Sequence, residues 1–240
     1  MSLYPYFLGI LLLGLSATGY SQTEGYTPLK EWGLKGKIKS IELSKYSYSP
    51  DSILDSVAMY NLDEKDLEPL NQVLSSFNVY GMQTSIEYFD EPDSTGKRGN
   101  KNFEYSFSGN TRYSILLGDT IETILTKWIT PYHYVLTIYE DKEIKSILSN
   151  RLDSNFRVKR AFETYYLLDT QESLNFDIVY TYDESGLLHK IIERQKGHED
   201  KVTTGYILEK DAFGNPTREI KHLPTGDYLY VVRRFTYYEL

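Results

Sequence analysis

The chain contains no cysteine among its 240 residues. Disulfide bracing, a cysteine nucleophile and a lipid-anchored cysteine behind a signal segment are therefore all excluded, and a small disulfide-stapled animal domain is a poor match. Lys and Arg are absent before Lys30, and no dense basic run follows. With a net charge of −8, the electrostatic footprint of a nucleic-acid binder is missing. No Asn-x-Ser/Thr acceptor occurs outside an Asn-Pro pair. The four histidines, His133, His189, His198 and His222, are scattered and form no HxxxH or HExxH arrangement. GxSxG and P-loop motifs are also lacking. Neither a metal site nor a cofactor is implied, and no catalytic residue is nominated.

What the chain has is tyrosine, 23 of them against 10 Phe and 2 Trp. Tyrosine favours strands because its ring covers a pleated, half-exposed surface. The composition, 40% hydrophobic and 25% charged, is that of a chain that folds. Its length suits one domain or one elongated sheet.

The opening MSLYPYFLGILLLGLSATGYS has an apolar run from Tyr6 to Leu15 followed by small residues. That run is short for a membrane span and suits a signal-peptide core. Residues 1–21 are thus read as a signal peptide, 22–30 as a flexible lead and 31–240 as one β-rich domain. A bacterial protein exported to the periplasm or released fits this best, with no stable transmembrane span once the signal is cleaved.

Along the chain, GLKGKIKSIELSKYSY reads as a first strand after Gly36. Residues 49–62 read as a loop with a short strand at 56–60. Leu67, Leu70, Val73 and Leu74 recur at helical spacing behind acids and predict a short helix over 63–76, distorted by Pro69. Ile121, Ile124, Leu125, Trp128 and Ile129 form a weaker helical pattern, since the threonines among them suit strands equally well. Beyond Pro131 the character is strand. Phe176, Ile178, Tyr180 and Tyr182 alternate with Asp177, Val179 and Thr181, and YLYVVRRFTYY at 228–238 forms a long strand. Turn chemistry at 183–186, 195–200, 211–214 and 224–227 separates these runs. The expected fold class is mainly β, an antiparallel meander of repeated hairpins forming an extended twisted sheet with one or two short helices.

One echo organises the meander. Asp183-Glu-Ser-Gly186 returns as Asp211-Ala-Phe-Gly214, 28 positions on, and the same period separates Gly81 in FNVYG from Gly109 in YSFSG. A degenerate copy begins at Leu152, LDSNFRVKRAF, with Phe156 where glycine is expected. In such a turn the Asp carboxylate accepts from backbone amides two residues on, and the glycine takes a positive φ. Asp183, Gly186, Asp211, Gly214, Asn215, Gly81 and Gly109 are therefore assigned to structural turns.

YDESGLL resembles the YDxxGxL core of YD, or RHS-type, hairpin repeats, and DAFGNPTREI is similar to their DxxGN variant. With GLKGKIKS, FNVYG and RRFTYYEL, the chain resembles a group of secreted repeat proteins from Bacteroidota. The resemblance implies β-hairpins in an antiparallel sheet and secretion. The toxin shell of long RHS proteins does not carry over, because too few repeats are present.

Carboxylate pairs such as Asp183 with Glu184, Glu199 with Asp200 and Asp90 with Glu91 sit in turn-like contexts, where capping is their ordinary role. A calcium role for Asp183, Asp211 and Asn215 lacks a recognised ligand loop. Aromatics give the functional candidate: Tyr180, Tyr182, Tyr228 and Tyr230, flanked by Tyr165, Tyr166, Tyr237 and Tyr238, as a face on which a glycan or an envelope protein stacks. The structural alternative is cross-strand packing. The function expected from sequence is non-catalytic binding or structural support at the cell envelope. The alternatives are a hydrolase of envelope polysaccharide, which needs two facing carboxylates, and an immunity protein against a secreted toxin.

Overall fold

The computed structural model describes residues 28–50, 53–81, 83–89, 99–108, 111–117, 122–140, 142–167 and 172–239. The signal segment, Gly109 and the Asp90–Glu91 pair lie outside them. The strands in chain order are β1 (Ile38–Tyr48), β2 (Glu68–Phe77), β3 (Gln83–Phe89), β4 (Gly99–Ser108), β5 (Thr111–Leu117), β6 (Glu122–Thr130) and β7 (His133–Glu140). They continue as β8 (Glu143–Leu152), β9 (Val158–Leu167), β10 (Glu172–Tyr182), β11 (Leu188–Gln195), β12 (Lys201–Lys210), β13 (Pro216–His222) and β14 (Tyr228–Tyr237). Every neighbouring pair is antiparallel and sequential, so the sheet is a meander. Its two edges then meet: β1 pairs with β2 on one side and with β14 on the other, Ile41 lying opposite both Ser75 and Phe235. The meander is therefore a closed barrel with no free edge strand.

Alternation assigns the faces. One register row runs Trp128, Tyr134, Asn150, Ala161, Ile178 and Glu193 across β6 to β11. Its first five members are at most 7% exposed, which makes this the interior face. The outward neighbours on β9 to β11 carry charge: Arg160 forms a two-bond fork to Asp177 at 2.8 Å, and Arg194 reaches Asp177 at 3.9 Å.

Both helix patterns read from sequence give way to strands. The 63–76 segment holds only a 3-10 turn, Glu64–Asp66, before β2, and residues 122–129 of the second pattern lie in β6, Ile121 falling outside the described residues. A lone period of 3.6 over so few residues is outweighed by ladder pairing on two sides, where Thr and Val also pack well. The converse error falls at 56–60, which is not a strand but the helix α2 (Ser56–Tyr60), capped by Asp55 accepting from Ala58 N at 2.8 Å. Met59 of α2 and Leu67 cover the outside of β13 and β14, burying Tyr228, Tyr230 and Val232, while Leu229 and Val231 are buried on the inner face. Five consecutive residues of β14 are thus inside the protein.

Residues 28–30 of the lead read as flexible belong to the folded body; the rest of it lies outside the described residues. A one-turn helix, α1 (Pro28–Glu31), and the chain through Gly36 lie across one end of the barrel. Leu29 is buried there with Ile38, Ile41 and Phe77, and Trp32 meets Phe77 edge to face at 5.7 Å.

Candidate functional site

The repeated turns lie at the same end of the barrel as α1, and they share one hydrogen-bond scheme. In each, the amide of the leading Asp donates to the carbonyl four residues on, at 2.8 Å for Asp153, 2.8 Å for Asp183 and 2.9 Å for Asp211. The amide three residues on returns to that Asp, from Phe156, Gly186 or Gly214. Those three residues have φ of +64°, +87° and +85°, the left-handed region that glycine enters without steric cost. Asp153 Oδ1 accepts from Asn155 N and Arg157 N, Asp183 Oδ1 from Leu187 N, and Asp211 Oδ1 from Phe213 N and Asn215 N. The hairpin register is also common: Leu152 pairs with Val158, Tyr182 with Leu188 and Lys210 with Pro216, each beside a bulge. Gly81 has φ of +79° and donates to Asn78 O in a separate turn.

These turns grip the end segment. Asn215 is fully buried. Its Oδ1 accepts from Lys35 N at 2.7 Å, and its Nδ2 donates to Lys35 O and to Tyr237 Oη, each at 2.8 Å. Gly33 packs so closely on the second turn that a Cβ there would lie 2.8 Å from Gly186 O. Glu31 accepts from Tyr134 Oη at 2.8 Å. The recurring acid and glycine therefore form a clamp, and their carboxylates are spent on backbone amides. That occupation, with Tyr237 and Asn215 on Asp211, outweighs burial and holds Asp183 and Asp211 below the usual carboxylate range.

The candidate aromatic face does not form. Tyr228 and Tyr230 are each 1% exposed; Tyr228 Oη accepts from Leu54 N, and Tyr230 Oη from Arg218 Nε. Tyr180 and Tyr182 stand on the opposite, interior face. Tyr182 Oη donates to Val158 O at 2.7 Å, and burial pushes both phenols well above their ordinary range. The physical reason is closure, which turns one face of every strand inward, and the 53–67 segment, which covers the other face of β14. Tyr165, Tyr166, Tyr237 and Tyr238 are half-buried, and Tyr238 donates to Phe77 O. The four histidines stay apart: His133 meets Ser149, His222 packs on Tyr228, His198 sits in the turn after β11, and His189 meets Gly205 O. Among the described residues, no group of His, Asp and Glu could hold a metal ion.

Two other features were not read from the sequence. The first is a cleft. Ladder pairing between β11 and β12 covers only Lys190–Glu193 against Lys201–Thr204, although β12 runs on to Lys210. Beyond Lys190 and Thr204 the ladder ends, and β12 runs on beside α2. Gly205, which has no side chain, lies there against the carbonyls of Leu188 and His189. The opening holds about 360 Å³, lined by Met59, Tyr60, His189, Tyr206, Leu208 and Lys210, with Asp183 at its rim. Tyr60 is 54% and Tyr206 41% exposed, so these two, and not the four tyrosines read from sequence, present open rings.

The second feature is charge inside the barrel. Glu163 on β9 is 5% exposed; burial first and Glu193 second push its carboxyl up to about 7. Glu219 on β13 lies among Lys221, at 3.6 Å, and Arg233, at 2.6 Å. Burial pushes that carboxyl up, but the two cations outweigh it and hold it below its ordinary range. No sequence signal separated these interior charges from surface ones, because alternation assigns a face only after the sheet has closed.

No family model matches the chain, and no curated protein does. A similar solved structure is that of a porin-like protein from Bacteroides uniformis, 12% identical, covering 83% of this chain and 98% of that one, with a TM-score of 0.41.

Proposed function

We propose that this is an exported, non-catalytic binding protein that takes a glycan in the cleft between β11 and β12. The observation that carries the reading is an opening of about 360 Å³ where the β11–β12 ladder ends, flanked by Tyr60 and Tyr206. That volume lies in the ordinary range for a small-molecule site, and a few polar groups among apolar walls are what such a site needs. Exposed tyrosine rings offer flat apolar faces for sugar rings, and His189, Asp183 and Lys210 supply donors and acceptors for hydroxyls. Export rests on the apolar run of the first 21 residues. The outward Arg160–Asp177–Arg194 group supports a water-facing outside, since a cation in the midplane of a lipid-facing strand costs about 2–4 kcal/mol. Among the described residues, no helix is long and apolar enough to cross a membrane. The carboxylates that hydrolysis would need, Glu163 and Glu193, stand on the interior face, with Glu193 four residues along β11 from His189.

The test is a glycan array probed with the mature chain, followed by calorimetric titration of any retained glycan. Tyr206→Ala is expected to weaken binding by up to about tenfold, the scale of about 0.5–1.5 kcal/mol for one lost stacking contact, with an unchanged circular dichroism spectrum. An array without a retained glycan, or a Tyr206→Ala protein that binds as well as wild type, overturns the reading. Retention of an envelope protein in place of a glycan also overturns it.

A further inference from the structure

Among the described residues, the interior of the barrel at β13, β14 and β1 holds more positive charge than its one carboxylate offsets. Lys45, Lys221 and Arg233 all stand on the inward face: Lys45 and Glu219 are both register partners of Val231, Lys221 is the partner of Leu229, and Arg233 that of Leu43. Glu219 answers two of the cations, through Arg233 Nη2 and Lys221 Nζ. Lys45 is 9% exposed and has no acidic partner among the described residues. Arg233 Nη1 is fully buried and donates to nothing, and Asn71, opposite Lys45 on β2, has a buried amide oxygen that accepts nothing. Burying a donor without an acceptor costs about 1–3 kcal/mol, and more when it is charged. The buried Arg233 Nη1 without an acceptor, beside the Lys45 ammonium, marks a place built around something that accepts hydrogen bonds.

We propose that Lys45 and Arg233, with Lys221 beside them, hold a small inorganic anion inside the barrel. The site is distinct from the β11–β12 cleft. Sign follows from the excess of cations over Glu219. Water could donate to the Asn71 oxygen but leaves the excess charge in place, whereas one anion accepts from Lys45 Nζ and Arg233 Nη1 and removes much of it. Burial, with Lys221 and Arg233 second, brings the Lys45 ammonium down to about 8, as expected of a cation whose counter-charge is not in the chain.

Thermal unfolding in sodium gluconate, whose anion is too large to enter, is compared with unfolding in sodium chloride at equal ionic strength and neutral pH. Wild type is expected to melt several degrees higher in chloride and to broaden the NMR line of chloride, with bromide reversing the broadening. Lys45→Met is expected to lose both responses and to melt in gluconate no lower than wild type, because the unmet charge is gone. Arg234→Gln, on the outer face, is expected to keep both. Equal melting of wild type in the two salts with an unbroadened line, the signature of hydration by water alone, overturns the proposal. So does a Lys45→Met protein that responds like wild type. Should Lys45→Met fail to fold, the wild-type line and its reversal by bromide decide the matter.

Discussion

The two charged regions inside the barrel face the same enclosed space and handle excess charge in opposite ways. On β9 to β11, Glu163 and Glu193 crowd together beside Tyr180, and the buried member takes up a proton, its carboxyl rising to about 7. On β13, β14 and β1 the excess is cationic. Arginine does not lose its proton in a protein, so Arg233 must be neutralised by Glu219 or by something outside the chain. The comparison teaches that a buried acidic pair can be self-sufficient at neutral pH, whereas a buried cluster containing arginine cannot.

The largest effect expected on this contrast comes from Glu219→Gln, which removes the one carboxylate at the basic region. Breaking a buried pair in this way costs about 3–5 kcal/mol, because the partner charges stay buried. Denaturant unfolding should show the loss, and chloride should restore part of it. A variant as stable as wild type would show that Lys221 and Arg233 reach water and that the two regions do not differ.

A smaller and pH-dependent effect is expected from Glu163→Gln. The folded carboxyl, at about 7, lies above its ordinary 4.5, so the native state binds more protons than the unfolded one between these values. Stability is then full below about 4.5 and lost as pH rises to 7. The loss is on the order of 3 kcal/mol at 1.36 kcal/mol per unit. Glu163→Gln should abolish that slope and melt above wild type at pH 8. Parallel melting curves for the two proteins across this range would remove the acidic half of the comparison. Least affected is the outside: Arg234→Gln breaks a pair to Glu42 at 2.9 Å on a side chain 58% exposed. The expected change is under about 1 kcal/mol, measured by the same unfolding titration.

Legibility followed the range of the interaction. The turns were readable because each is a five-residue device: Asp183 with Leu187 and Gly186, or Asp211 with Asn215 and Gly214, closes on itself whatever surrounds it. Even the copy with Phe156 in place of glycine keeps the same bonds, with its ring stacked on Tyr132 at 5.4 Å. The helical reading of 63–76 failed because Leu67, Leu70, Val73 and Leu74 fit a helix only if the segment is considered alone. Val73 is buried in a strand paired with Leu43 on one side. The helix at 56–60 was missed because five residues carry too little periodicity, and Asp55 was read as loop chemistry and not as a cap. The tyrosine face failed differently. Tyr180 and Tyr230 are both large residues on strands, and sequence alternation cannot say that one lies inside the barrel while the other lies under Met59.

By itself the sequence determined a mainly β meander, the positions of its hairpin turns and the chemistry that reverses the chain there, since all of these depend on neighbours along the chain. Tertiary structure alone decided that β1 meets β14, which face of each strand is interior, that Asn215 clamps the 28–36 segment, and that a cleft lies where the β11–β12 ladder ends. It also brought Lys45 and Arg233, nearly the length of the chain apart, onto the same inner wall. Such pairings depend on closure, and closure is a property of the whole sheet that no local stretch encodes.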